Sequence, residues 1–314
     1  MVKVAVFGAY GHTGRFVVAE LVARGFEPVP LGRRDASVED PESLDRALRG
    51  VAAVINCAGP FAATAGPLVA AAVRAGIGYV DVAAEIEANV DTFSHFTAPA
   101  REAGIVVVPA MAFFGGLGDL LATALLEGSS AADEIHIGYG LSSWHPTAGT
   151  VASGAVSRER RGGRRVRFAG GRLEYHDDEL PVVEWEFSEP FGPRKVISEF
   201  SMADVVTVPS HLEVPVVRCY MNADAVADLS AGDSSAVAAQ TFVVDVRVRR
   251  GGVERRVVAS GSDIYAISAP LAVEAVARIL DGRTRAAGVV SAGAAFDAED
   301  FLRAMSAHLT VTAG

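Results

Sequence analysis

Val2-Lys-Val-Ala-Val-Phe7, then Gly8-Ala-Tyr-Gly-His-Thr-Gly14, a helical stretch from Arg15 to Arg24, Pro28-Val-Pro-Leu31 and finally Gly32-Arg-Arg-Asp35 decide how this chain folds. The order is strand, glycine loop, helix, strand, at the length of a βαβ unit. Gly8 ends the first strand in a turn that a side chain would obstruct. Gly11 lets backbone approach a pyrophosphate, and Gly14 lets the helix pack hard on the sheet. The unpaired N–H groups of the first helical turn, with the helix dipole behind them, then face the phosphates. Tyr10, His12 and Thr13 lie in the same loop and are expected to border the same ligand.

The glycines are spaced two and two, a longer first turn than the one-and-two NAD pattern. The end of the second strand separates the cofactors. An acid there holds a ribose 2′-hydroxyl, whereas a guanidinium pairs with a 2′-phosphate and can stack on adenine. Arg33 and Arg34 stand at that point, so the expected cofactor is NADP(H). Asp35, as a displaced ribose acid, is the residue that favours NAD(H).

The 314 residues suffice for two domains, and half are hydrophobic. A net charge of −10 argues against a general binder of nucleic acid or anionic membrane. The two cysteines, Cys57 and Cys219, are too far apart in sequence to suggest a disulfide framework or a zinc site, and no metal is expected. No leader sequence or spanning segment is read, so the expected location is the cytoplasm.

Beyond the opening unit, Val51–Asn56 reads as a third strand ending in Cys57-Ala58-Gly59-Pro60-Phe61. Strand ends line the ligand crevice of a doubly wound sheet, which places these five residues along the cofactor's ribose and nicotinamide. Tyr79–Val82 and Gly104–Pro109 read as further strands between helices at 65–75 and 86–103. Continuous apolar strands alternating with helices predict a parallel sheet covered on both faces.

Gly8-Ala-Tyr-Gly-His-Thr-Gly-Arg15, Val54-Ile-Asn-Cys-Ala-Gly-Pro-Phe61, Gly66-Pro-Leu-Val69, Tyr79-Val-Asp-Val-Ala-Ala-Glu85, Val107-Val-Pro-Ala110 and Gly118-Asp-Leu-Leu-Ala122 occur in that order. Together they resemble the saccharopine-dehydrogenase-like NADP-binding oxidoreductases, a group that includes trans-acting enoyl reductases. The resemblance implies an α/β Rossmann-type doubly wound parallel sheet, a second α+β domain, a C-terminal segment returning to the first domain, NADP(H), and hydride transfer, often onto C=N. Two positions depart from the pattern. Ala84 stands where glycine is common, and Gly118 where proline often precedes the aspartate. Both fall near the expected substrate end, so substrate identity is not carried over.

The second half alternates polar and apolar residues, as an antiparallel or mixed sheet does. Glu134–Leu141 is one strand. Hairpins are expected about Ala169-Gly170 and Gly251-Gly252, and strand fragments such as Val205–Val208 within a proline-rich stretch that also holds His211. A short helix opens near Thr150, and residues 223–239 suggest another helix with a polar linker. The expected domains are 1–127, 128–260 and a helical 261–314.

Twelve arginines (158, 160, 161, 164, 165, 167, 172, 247, 249, 250, 255 and 256) crowd the hairpins and the helix before them. They read either as solvated strand faces with charged edges or as a face for an acidic protein partner. A homodimer is the expected assembly.

Polar candidates for the substrate end are Asp81, Glu85, Asp119, His145 and Tyr265. The first two serve equally well as caps for the following helix, and Asp119 as a cap for its own. No Tyr-x-x-x-Lys pattern occurs in the right place, and no catalytic residue is assigned. The leading expectation is an NADPH-dependent reductase acting on a C=N or C=C bond of a small metabolite. The alternatives are a non-catalytic NADP-sensing or scaffold protein, and a trans-acting enoyl reductase working on a carrier-bound substrate.

Overall fold

The computed structural model describes residues 1–231 and 240–314. The first domain is built from β1 (Lys3–Phe7), α1 (His12–Ala23), β2 (Glu27–Leu31), α2 (Pro41–Ala47), β3 (Ala53–Asn56), α3 (Phe61–Ala75), β4 (Gly78–Asp81), α4 (Ile86–Glu102) and β5 (Val106–Val108). A buried helix, α5 (Gly118–Leu125), leads out of it. The second domain holds β6 (Glu134–Leu141), α6 (Ala148–Arg160), β7 (Arg165–Ala169), β8 (Arg172–His176), β9 (Val182–Glu186), β10 (Pro193–Ser198), α7 (Asp204–Thr207), β11 (Val217–Asn222), α8 (Ala223–Ala231), β12 (Thr241–Arg250) and β13 (Val253–Ser262). The chain ends with α9 (Ser268–Leu280), β14 (Gly288–Val289), α10 (Ala292–Ala295), α11 (Ala298–Ala304) and β15 (Thr310–Ala313).

The first sheet is parallel, in the order β2-β1-β3-β4-β5-β14. Along β1, Val4 and Val6 join the core under α1 and α9, while Ala5 and Phe7 join the core under α2 and α3. Both faces are therefore buried, which is why the strand reads as one apolar run. The strand order reverses between β1 and β3, so the crevice opens between their carboxyl ends.

The second sheet is mixed. It runs β15-β13-β12-β6-β11-β10-β9, with β6 and β11 parallel and β7 attached to β11. Gly138 and Gly140 in β6 make room for neighbouring side chains: a Cβ on Gly138 would sit 2.6 Å from the Trp185 indole, and one on Gly140 2.7 Å from Val243 Cγ1. Both hairpins turn on Gly-Gly pairs with positive φ at each residue, Gly170-Gly171 and Gly251-Gly252. The first is one residue later than the sequence suggests.

The last segment is more than helical. After α9 packs on α1 and β4, β14 completes the first sheet and β15 pairs with β13 of the second. Val205–Val208 is not a strand. Its residues are buried in a helical turn wedged between β11 and residues 113–117, where tertiary packing overrides the β-preference of valine. α6 opens at Ala148 rather than near Thr150, because the Thr147 hydroxyl accepts from the Thr150 N–H (3.1 Å) and acts as the N-cap. The expected helix after Asn222 is α8; the remainder, 232–239, lies outside the described residues.

Most of the arginine cluster is engaged within the chain. Asp245, fully buried on β12, accepts from Arg256 Nε (3.0 Å), Arg247 (3.3 Å) and Trp185 Nε1 (2.9 Å), and the Arg247 guanidinium stacks on the Trp185 ring. Arg160 pairs with Asp91, Arg167 with Glu174, Arg249 with Glu134 and Arg255 with Glu127. Replacing Asp245 by Ala strands two guanidinium groups and an indole N–H; the expected loss is about 3 kcal/mol of unfolding free energy by urea denaturation.

Candidate active site

A cleft of about 1330 Å³ runs from the carboxyl ends of β1–β3 to the inner side of α6 and α8. It exceeds the roughly 300–1,000 Å³ of a drug-sized pocket.

Its head is the glycine loop. Gly8 has φ +76°, and a Cβ there would lie 2.8 Å from the Ala58 nitrogen. A Cβ on Gly14 would run into the Gly8 carbonyl oxygen, so α1 and β1 meet closely only because both residues lack side chains. Gly11, by contrast, would meet only the Gly8 oxygen at 3.2 Å. Gly11 caps α1 by backbone alone, with no side-chain acceptor and no acid in the first turn. The helix thus presents unpaired N–H groups and a positive dipole end to the cleft.

Tyr10, Gly11, His12, Thr13 and Arg33 line this end. Arg34 is exposed and does not line the cleft; neither arginine side chain has a partner among the described residues. The Asp35 carboxylate accepts from the Gly32 N–H (2.8 Å), closing its own turn.

Cys57, Ala58, Gly59, Pro60 and Phe61 form the cleft floor. Burial, and secondarily the charge of Asp81, pushes the Cys57 thiol up to about 12, so it is no nucleophile at neutral pH. The floor is held from behind. Asn56 accepts from the Ala58 N–H (2.9 Å) and donates to Tyr79 and Thr64, each at 3.1 Å. Tyr79 donates to Asp81 (2.9 Å), whose other oxygen accepts from the Ala83 (3.0 Å) and Ala110 (2.8 Å) N–H groups.

Of the five polar candidates, two line the cleft. Tyr265 does so with its hydroxyl accepting from Trp144 Nε1 (3.3 Å) and Thr147 N–H (3.4 Å) and sharing a hydrogen bond with Thr150 Oγ1 (3.0 Å). Its ring stands edge-on to His12, 5.1 Å between centroids. Glu85 also lines the cleft, but its oxygens accept from the Phe61 (2.9 Å) and Ala62 (3.1 Å) N–H groups. It caps α3, which precedes it, rather than α4, which follows.

Asp81, Asp119 and His145 do not line the cleft. Asp81 is committed to backbone bonds, as above. Asp119 is fully buried on the far side of α5, where it accepts from His211 Nε2 and from the Gly293 N–H, both at 2.7 Å. Burial disfavours the charged His211 ring, but the Asp119 carboxylate outweighs this and raises its pKa. Among the described residues no group of His, Cys, Asp or Glu is placed to hold a metal ion, and no helix is long and apolar enough to cross a membrane.

The sequence reading missed two contributors. Phe113 and Phe114 enter from the glycine-rich turn before α5, and Thr147, Thr150, Ser153 and Arg158 come from the start and inner face of α6. A pair of aromatics beside glycines was the available signal for the first. The second belongs to the helix expected to open near Thr150, but which of its residues face the cleft could not be read, because a helix exposing polar residues to a cleft reads like one exposing them to solvent.

Two comparisons bear on this geometry. A probable mitochondrial saccharopine dehydrogenase-like oxidoreductase of Arabidopsis thaliana is 26% identical over 140 residues, covering 34% of this chain and 31% of that protein. Apo saccharopine dehydrogenase (L-Glu forming) of Saccharomyces cerevisiae superposes over 100% of both chains with a TM-score of 0.61 at 10% identity. The chain is similar to the saccharopine-dehydrogenase-like oxidoreductases. Under a third of the plant relative's length is matched, and the yeast likeness is one of fold. No protein-family profile matches the chain.

The Gly118 departure from the family pattern has a local cause. A Cβ there would collide with the carboxylate of Asp204, which accepts from the Tyr139 hydroxyl (2.8 Å) directly behind Phe113 and Phe114. Asp204 is fully buried, and its second oxygen has no partner among the described residues. Burial raises its pKa to about 6, against the Tyr139 hydrogen bond that lowers it. Because the folded pKa lies above the unfolded value of about 4, the native state binds the extra proton between them. The contribution of Asp204 to stability is therefore greatest below about pH 4 and declines as pH rises to about 6, by an amount on the order of 2–3 kcal/mol. Unfolding free energies measured from pH 4 to 7 should show a shallower decline in Asp204→Asn than in the parent chain.

Proposed function

We propose that this chain is an NADP(H)-dependent oxidoreductase that adds hydride to a C=N or C=C bond of a small molecule. The observation that carries the reading is the bare amino end of α1, opening onto one large cleft beside an unpartnered Arg33. The open side of Gly11 fits a pyrophosphate laid against backbone, and the similarity to dehydrogenases of this fold supports the same reading.

The residues divide the work by position. The Gly11–Gly14 amides would hold the pyrophosphate and Arg33 the 2′-phosphate, with Arg34 adding charge at longer range. Asp35 spends one of its oxygens on the Gly32 N–H of its own turn. Glu85 neutralises the amino end of α3, which leaves that of α1, bare of any side-chain cap, to attract the anion at the glycine loop. The Asn56–Tyr79–Asp81 network keeps the floor at Cys57–Pro60 rigid against the ribose and nicotinamide.

Bound there, NADPH would supply the hydride to the substrate's electrophilic carbon, so that this chain's residues need provide only the proton for the other atom of the double bond. The Tyr265 hydroxyl shares a hydrogen bond with Thr150 Oγ1 (3.0 Å), which lines the cleft and is itself 3.0 Å from Thr147 Oγ1. That pair would supply the proton to the substrate.

The test is NADPH oxidation against a panel of imines and enoyl thioesters, with cofactor affinities measured in parallel. Arg33→Ala should weaken NADPH binding by about tenfold or more and leave NADH affinity within about twofold, since a charge-assisted hydrogen bond contributes about 1.5–3 kcal/mol. Arg34→Ala should have the smaller effect. Equal losses for both cofactors would count against the 2′-phosphate assignment.

A further inference from the structure

α6 lies along the cleft without a hydrophobic anchor. With its two caps, it turns a stripe of Thr147, Thr150, Ser153, Ser157 and Arg161 toward the molecule, spaced three or four apart. All its other residues but Val156 are exposed. Among the described residues, none between Ala148 and Arg160 belongs to a hydrophobic cluster. A surface helix is ordinarily held by an apolar face. This one rests Ser153 Oγ on the floor, 2.6 Å from where a Cβ on Gly59 would stand, yet its fastenings are polar and sit at its two ends.

At the amino end, the Thr147 N–H and Thr150 Oγ1 meet the Tyr265 hydroxyl (3.4 and 3.0 Å). At the carboxyl end, the partners come from α4 of the first domain. Ser157 donates to one oxygen of Glu87, and Arg161 Nη1 stands 3.6 Å from the other. Arg160 pairs with Asp91 (2.7 Å), one turn further along α4. Glu87 is 7% exposed and does not line the cleft, and its second oxygen has no hydrogen bond.

Lifting α6 rehydrates that half-satisfied carboxylate and uncovers little apolar surface, so the docked and lifted states lie close in free energy. The chain is anchored on either side, at the buried core residues Trp144 and Val166. Between α6 and Val166, Gly162 and Gly163 stand at φ +63° and +78°, with open space where a Cβ would be. Such a pair can take up the backbone rotation of a hinge.

We infer that α6 is a hinged wall that lifts off the floor at Gly59 to admit ligand, and that Glu87 is the positioning residue that holds it down. Closed, α6 sets Thr150 and Ser153 beside the floor and keeps water from it; lifted, it clears a path to the same place. Glu87 lies outside the cleft, so its effect on a bound molecule passes through α6. The inference rests on the reading above only in taking the floor for the nicotinamide side.

Two measurements on the full chain test it. The first is hydrogen exchange without ligand, at rising sub-denaturing urea. Amides of residues 151–160 should exchange about tenfold or more faster than those of β6 and β12, and with almost no dependence on urea, as a local opening does. Glu87→Ala should raise this ratio about tenfold further, and Glu87→Gln, which keeps an acceptor for Ser157, should leave it within about threefold of the parent. A general loss of stability would move all segments together. Should Glu87→Ala not fold, Ser157→Ala removes the same bond from the helix side and should raise the ratio likewise. The second measurement is the rate of NADPH release, followed by its fluorescence during a chase with NADP+. Release should quicken about fivefold or more in the variants that loosen α6 and stay near the parent rate in Glu87→Gln.

Exchange of 151–160 at the rate and urea dependence of β6, a ratio unmoved by loss of the Glu87–Ser157 bond, or NADPH release unmoved where the ratio has changed would each overturn the inference. Absence of NADPH binding in the parent would instead sink the cofactor assignment, with the exchange series still deciding whether α6 opens.

Discussion

The close meeting of α1 with β1 is the constraint from which the site follows. A helix can reach a strand this closely only where side chains are missing from both, and Gly8 and Gly14 supply that absence. Had α1 stood even a methyl group further out, its first turn would not open at the reversal between β1 and β3. The same contact leaves the helix mouth without a side-chain cap, a state that costs stability unless a ligand or water satisfies the N–H groups.

Around this point the chain uses its polar residues to stiffen rather than to react. Asn56, Tyr79, Asp81 and Glu85 all lie within reach of the crevice by sequence, yet their bonds run to backbone and to each other. Buried polar networks of this kind are favourable only when nearly every group is satisfied. Asp204, like Glu87 and Asn89, keeps one oxygen unpartnered, and it sits behind the two phenylalanines that turn the chain toward the second domain.

How much was legible depended on whether a residue's role is set by neighbours in sequence. The glycine loop, the floor at Cys57–Phe61 and the alternation of β6, β12 and β13 are local patterns, and each reads directly. Asp119 could not be placed, because its partners His211 and Gly293 are 92 and 174 residues away. Glu85 was expected to cap forward along the chain and instead caps back, since the turn at Phe61 folds over it. β14 and β15 are too short to show a period; only the sheets that they complete define them. α6 hid its role because solvent and a hydrophilic cleft wall impose the same pattern.

Amide hydrogen exchange of the full chain with and without NADPH measures directly whether the amides at the mouth of α1 hold a dinucleotide. Slowed exchange confined mainly to Gly11–Arg15 and the Gly32–Arg34 turn, saturating with cofactor concentration, is the expected result. Exchange in these segments that is unchanged at saturating NADPH, or protection appearing only elsewhere, would contradict it.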